Sequence, residues 1–201
     1  MSVYSALIFS LLLPLVSYAQ GEDGFLMQTE EDGVQVYVRQ EDNDDMSVRV
    51  VTIASTNVAS VKATLDDAAS YAEWVHRCDG AYVVEGGTPD NYIYVSGIDM
   101  PFPFRDKEVV ARINQWINAS GVLTRTITAI PDAIPDSGRD RLTTYFGEWV
   151  VTPLADDTTQ LQCTVRTDAG SGLPGWLRRE ILTGGPAETV ANLRRRLETA
   201  K

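Results

Sequence analysis

Few residues in this chain are types that could carry chemistry. There is one histidine, and there are two cysteines. His76 stands two residues before Cys78 in Trp74-Val75-His76-Arg77-Cys78, a spacing that invites a thiol–imidazole reading. A cysteine nucleophile needs a base in reach and a third group to orient that base. Nothing around His76 has the form of a nucleophile elbow, so it is read as an exposed residue at a helix end. With so few soft ligands, neither a zinc ribbon nor a Cys/His cluster can be assembled. No metal ligand, catalytic residue or cofactor is therefore assigned. Arg105-Asp106 either faces a ligand or anchors a loop by ion pair and backbone hydrogen bonds, and anchoring is preferred. Just before it, Met100, Phe102 and Phe104 alternate with Pro101 and Pro103. Such a stiff apolar loop is a lid touching ligand or membrane, or a loop packed on the core.

The remaining candidates lie on strand-like segments. Tyr92 and Tyr94 alternate along one, Tyr145 and Trp149 along another, and in a hollow fold core and cavity wall are the same surface. Arg112 falls in the set Glu108, Val110, Arg112, Asn114, Trp116, opposite the apolar Val109, Ala111, Ile113. Simple alternation puts it on the wet face, and a ligand-binding role for Arg112 requires a bulge. Arg194-Arg195-Arg196 either meets anionic headgroups or complements a helix C-terminus, and the second is preferred.

These residues belong to a chain of 201 residues with 44% hydrophobic and 22% charged content, one domain's worth of ordinary globular sequence. The formal charge of −11 argues against a nucleic-acid partner. Residues 1–19 carry no charged side chain, and Ala6 to Val16 is apolar but too short to span a bilayer. Ser17-Tyr18-Ala19 then places small residues before a cut after Ala19, which reads as a signal peptide and implies a periplasmic or secreted protein. Export permits a disulfide, but Cys163 alternates with Leu161 and Val165 and reads as a buried hydrophobe.

The elements that must position the candidates follow from periodicity. After an acidic segment, residues 20–32, strands are expected at Gly33 to Arg39 and Ser47 to Ala54. A helix capped by Thr56 or Asn57 starts at Val58, and a second short one spans Ala69 to Val75. Six strands follow at hairpin spacing: Ala81 to Glu85, Tyr92 to Gly97, Lys107 to Ile117, Val122 to Ala129, Leu142 to Thr152 and Thr159 to Thr167. Leu173-Pro174-Gly175 opens a long terminal helix with Trp176, Leu177, Ile181, Val190, Leu193 and Leu197 as its apolar stripe. Gly184-Gly185-Pro186 should kink or break that helix. Runs of strands with segregated helices mean an α+β fold, with an antiparallel meander as its economical topology.

Three segments at these separations, Tyr71-Ala72-Glu73-Trp74, Pro101-Phe102-Pro103-Phe104-Arg105-Asp106 and Gly172-Leu173-Pro174-Gly175-Trp176-Leu177, together resemble the START (steroidogenic-acute-regulatory-related lipid-transfer) domains, most nearly their secreted bacterial branch. The resemblance runs from about Gly33 to Leu197, within a domain set at 33–199. It implies a helix-grip fold of the START/Bet v 1-like kind, a curved antiparallel sheet wrapped around the long C-terminal helix with an internal hydrophobic tunnel. Met100, Phe102 and Phe104 would sit on a mobile omega loop at the tunnel mouth. Leu173, Trp176, Leu177 and Ile181 on the helix, with Tyr92, Tyr94, Arg112, Tyr145 and Trp149 on the strands, would contact the ligand. Some sterol-binding members face an acid and an arginine inside the tunnel. Ungapped matching puts Tyr92 and Ala111 at those places, with Arg112 one position on, so either a bulge shifts the register or the pair is absent.

The expected protein is an exported, non-enzymatic monomer that binds a lipid, sterol-like or other apolar small molecule for transport or sensing, with transient membrane contact and no nucleic acid. The alternative is a helix-grip enzyme of the polyketide cyclase/aromatase type, using Arg112 with Tyr145 or Asp99. A third reading is a protein-binding module with a filled cavity.

Overall fold

Among the described residues, alternating β-branched and polar residues produce ten strands in one sheet. The computed structural model describes residues 23–41, 46–167 and 174–199. The leader, its cut after Ala19, and Leu173 lie outside them. Three strands come first, β1 (Leu26–Glu31), β2 (Val34–Gln40) and β3 (Met46–Ala54). Seven follow the helices, β4 (Cys78–Val83), β5 (Asn91–Ile98), β6 (Lys107–Ile117), β7 (Leu123–Ala129), β8 (Asp140–Arg141), β9 (Tyr145–Pro153) and β10 (Thr159–Thr167). Their order across the sheet is β1-β2-β3-β10-β9-β7-β6-β5-β4. Every pairing on that path is antiparallel, and the two-residue β8 lies parallel to the start of β6. The late strands form the expected meander, and β10 returns to pair along β3 from Ala54 to Ser47.

Two short helical elements bridge β3 and β4. Asn57 caps α1 (Val58–Asp66), its side chain accepting from the Ser60 N–H at 3.0 Å. A 3₁₀ turn, Ala68–Glu73, follows and buries Ala68, Ser70 and Tyr71. The terminal helix covers the inner face of the sheet in three pieces: α2 (Gly175–Arg179), a π turn over Glu180–Gly184, and α3 (Gly185–Thr199). Leu177, Leu182, Val190, Leu193 and Leu197 are its buried side chains. Val190, Leu193 and Leu197 meet Val48 and Val50 of β3, Leu161 of β10 and Val151 of β9 in one core.

Three features differ from the sequence expectation. The sheet starts inside the acidic segment, because β1 pairs with β2 from Leu26↔Val38 to Glu31↔Val34. Its acids face water at an edge, so no hydrophobic alternation announces it. Gly184-Gly185-Pro186 does not break the helix. The π turn absorbs the irregularity, and Pro186 falls in the first turn of α3, where its missing N–H costs little. Finally, the outer face of β6 is not wholly wet. Glu108 is buried and accepts from Arg141 Nε at 2.6 Å, and Arg141 also donates to the carbonyls of Pro131 and Ile134.

The core predicts its own sensitivity. Leu193→Ala should lower unfolding free energy by about 2–5 kcal/mol in urea denaturation, whereas Arg195→Ala, on the exposed side of α3, should change it by less than about 0.5 kcal/mol.

Candidate functional site

Inward-facing residues of five strands, the connection after the 3₁₀ turn, and the terminal helix line a mostly apolar cavity of about 170 Å³. From the sheet come Tyr94 (β5), Val109 (β6), Ile127 (β7), Tyr145 and Trp149 (β9), and Cys163 and Val165 (β10). Trp74, Val75, His76 and Arg77 supply one rim, and Glu180, Ile181, Gly185, Pro186 and Thr189 supply the facing helix. Gly147 stands between Tyr145 and Trp149 because Ile127 fills its place: a Cβ there would lie 3.3 Å from the Ile127 side chain. Tyr71 packs edge-on against both Trp74 and Tyr94, with ring centroids 5.0 Å and 6.2 Å apart, so the aromatic wall is one interlocked cluster. A larger depression of about 400 Å³ lies elsewhere, between the start of α1 and the end of α3. Ser55, Thr56, Asn57, Ser60, Thr64, Asp157, Arg196 and Leu197 line it, so it is mixed in character and offers less apolar surface than the interior.

Next to the cavity, a buried charge holds the elements in place. Arg125 of β7 is only 1% exposed. Its Nη1 donates to Asp66 Oδ1 at 2.9 Å and Gln115 Oε1 at 3.2 Å, and its Nη2 to the hydroxyls of Tyr92 at 2.5 Å and Tyr71 at 3.2 Å. Gln115 Nε2 donates in turn to Asp66 and to the Pro89 carbonyl, both at 2.9 Å. Tyr71 passes its own proton to the Leu65 carbonyl at 2.5 Å. One guanidinium thereby ties α1, the 3₁₀ turn, β5, β6 and β7 together. The sequence held the signal. Leu123, Arg125 and Ile127 alternate with Thr124, Thr126 and Thr128, which places Arg125 on the apolar face.

The sequence candidates separate into three groups. Tyr94, Tyr145, Trp149 and Ile181 line the cavity. Tyr92, Met100 and Leu177 are buried outside its wall, with Tyr92 committed to Arg125. Phe102 (97% exposed), Trp176 (60%) and the half-buried Phe104 lie on the surface. Arg112 does not enter the cavity. The register of β6 with β5 runs unbroken from Asn91↔Asn114 to Ile98↔Lys107, and Arg112 donates to Asn91 Oδ1 at 3.1 Å on the outer face. Asp99 is exposed as well, so Arg112, Tyr145 and Asp99 form no shared constellation. Asp106 Oδ1 accepts the Met100 N–H at 3.0 Å, closing the 99–106 loop, while the exposed Arg105 approaches Asp140 only to 3.9 Å. His76 is not a free helix-end residue but a partly buried one, contacting the terminal helix. Cys78 and Cys163 are both free thiols. Trp74, Val75, His76 and Arg77 were missed as a wall because they follow the 3₁₀ turn without periodicity.

Burial sets the electrostatics of the wall. It pushes the Tyr71 hydroxyl up to about 12 and raises Tyr94 and Tyr145 well above the ordinary phenol value. The Cys163 thiol is likewise pushed up to about 12, which removes its nucleophilicity near neutral pH.

No family model matches the chain. An uncharacterised protein of Pseudomonas aeruginosa is 30% identical over 196 residues, spanning 96% of this chain and 94% of the relative. A fragment of the STAR-related lipid transfer protein of Xanthomonas axonopodis superposes with a TM-score of 0.79 at 22% identity, covering 87% of this chain and 99% of that one. Human STARD10 gives 0.75 at 12% identity, over 88% and 74%. The Zhui aromatase/cyclase of a Streptomyces species gives 0.53 at 16% identity, over 77% and 92%.

Two measurements check this assignment. Arg125→Ala should cost about 3 kcal/mol of stability, since it removes the buried donor shared by Asp66, Gln115 and two tyrosine hydroxyls and leaves a cavity, while Arg112→Ala should stay within about 0.5 kcal/mol. Unfolded tyrosines ionise near pH 10 and the buried ones only above it. Stability should therefore be fully present below pH 10 and fall as pH rises toward 12, with Tyr71, Tyr94 and Tyr145 absent from the early 295 nm titration.

Proposed function

The chain belongs to one family with the Pseudomonas aeruginosa protein and has the START helix-grip fold, and from that premise we propose that it is a non-enzymatic carrier or sensor of a hydrophobic molecule. The observation that carries this reading is the mostly apolar cavity between sheet and helix. Apolar ligand surface buried there gains about 25 cal/mol per Å². The cavity's 170 Å³ is below the roughly 300–1,000 Å³ of ordinary small-molecule pockets, so the resting form suits a compact apolar group. Admitting a lipid chain requires the terminal helix or the 99–106 loop to move outward. Trp74 is buried in the wall with no acceptor for its Nε1, which favours a ligand bearing one hydrogen-bond acceptor.

Phe102 and Trp176 supply the exposed apolar surface for transient contact with a membrane. The protein acts as an exported monomer, the leader of residues 1–19 being removed. The cyclase reading loses its proposed constellation, because Arg112 and Asp99 both face solvent.

Native mass spectrometry of protein purified from its source, followed by organic extraction, should release a co-purifying apolar molecule. That molecule should change the fluorescence of Trp74 and Trp149, which line the cavity. Absence of any extractable molecule, with no thermal shift across a lipid panel, would sink the carrier reading. Phe102→Asp should slow transfer between vesicles several-fold with an unchanged melting temperature. The mass of the mature chain tests cleavage after Ala19.

A further inference from the structure

One rim of the cavity carries donors that no described residue uses. Trp74 is 3% exposed, and its Nε1 is shielded from solvent with no acceptor. Three residues on, the Nε of the partly buried Arg77 is in the same state. Both residues line the cavity. Buried donors are normally paired, so each orphan is a cost that an acceptor from outside the chain removes. The backbone beneath both is fixed. Tyr71 packs edge-on against the Trp74 ring, and Asn192 Nδ2 donates to the Trp74 carbonyl at 3.0 Å. The Arg77 carbonyl accepts the Asp99 N–H at 2.8 Å.

Arg77 also stands where its residue type is ill at ease. Its φ is +55°, in the left-handed region that glycine fills more readily. Strain of this kind gathers at ligand clamps. Glycine would suit the backbone better, and what the arginine adds is its charge. That charge decides the class of ligand. His76, Arg77 and Glu180 are the charged types among the lining residues. Glu180 Oε1 lies 2.9 Å from His76 Nε2, and Glu188 Oε2 lies 2.9 Å from Nδ1, so both acids face the imidazole. Arg77 has no carboxylate partner among the described residues. In a chain with 28 acidic and 17 basic residues, a guanidinium at a cavity rim with no acid beside it is open to an anion. The space of about 170 Å³ behind it is mostly apolar and below the size of ordinary lipid-sized pockets, so the anion comes on one compact hydrocarbon.

We propose that the ligand is a single-chain apolar acid whose carboxylate is held at the rim by Arg77 and the Trp74 indole N–H, with its hydrocarbon running inward past Tyr94 and Trp149. The inference rests on the carrier reading and adds to it the charge and the place of the headgroup. Charge-assisted hydrogen bonds from a guanidinium to a carboxylate are stronger than those to a neutral carbonyl. A neutral lipid would satisfy the indole and leave the guanidinium without a counter-ion.

The test is calorimetric titration of the intact protein at pH 7 with octanoate and with methyl octanoate, which keeps the carbonyl and loses the charge. Octanoate should bind at least about tenfold tighter than its ester. Arg77→Gly should erase that difference without lowering the melting temperature, since glycine accepts the left-handed backbone. Trp74→Phe should weaken octanoate several-fold while keeping the preference for the acid. Arg112→Gln, on the outer face, should change neither affinity. Octanoate binding no tighter than its ester, or binding Arg77→Gly as tightly as the wild type, overturns the acid assignment and leaves the carrier reading standing. If neither compound binds, the acid assignment fails, and the carrier reading is then judged by the lipid panel alone.

Discussion

The interaction on which the rest of the structure depends is the buried guanidinium of Arg125. A charge this deep needs hydrogen-bond acceptors and a carboxylate to neutralise it; both terminal nitrogens of Arg125 find acceptors, while its buried Nε does not. Asp66 supplies the carboxylate from the end of α1, and Gln115, Tyr92 and Tyr71 supply three further acceptors from three other elements. That requirement fixes where the helical bridge between β3 and β4 lies on the sheet. Once α1 and the 3₁₀ turn are pinned, Trp74 to Arg77 must emerge at one rim of the sheet's inner face, opposite the terminal helix. The cavity is the space that this placement leaves unfilled.

A sheet this long, covered by one helix with a π turn in it, is hard to fill with side chains from one side alone. The terminal helix packs closely at its C-terminal half, where Val190 and Leu193 are fully buried. In its N-terminal half Leu177 and Leu182 stay buried, but Ile181 and Gly185 are only partly buried and face the cavity. The helix therefore has one half packed wholly on the core and one half that also borders the cavity. The polar groups at the boundary, His76 with Glu180 and Glu188, stand where the two halves meet.

Much of this was legible from residue types alone. Period-two alternation marked Lys107–Ile117 and Thr159–Thr167 to the residue, because both strands have one face on the core. It also placed Arg112 outside, whereas the family resemblance drew it inward. Local physics was the better guide there. The same alternation placed Arg125 among apolar neighbours, but a charge on an apolar face is easily passed over when no partner is visible in sequence. Its partners lie 10 to 59 residues away. β1 was missed because an edge strand with polar side chains has no alternating signature. The π turn was missed because glycine and proline signal interruption without saying whether the helix stops or only widens.

The acidic N-terminal stretch acquires a meaning at the sheet's edge. β1 is one of the two terminal strands and carries Glu30 and Glu31 among mostly exposed side chains. An open edge offers unpaired amides and carbonyls to any extended chain that passes, including another copy of itself. Here such a chain would meet a row of carboxylates repelling an equally acidic partner. The net charge that first argued against nucleic acid thus also works as colloidal protection, keeping a long open sheet from growing by one more strand.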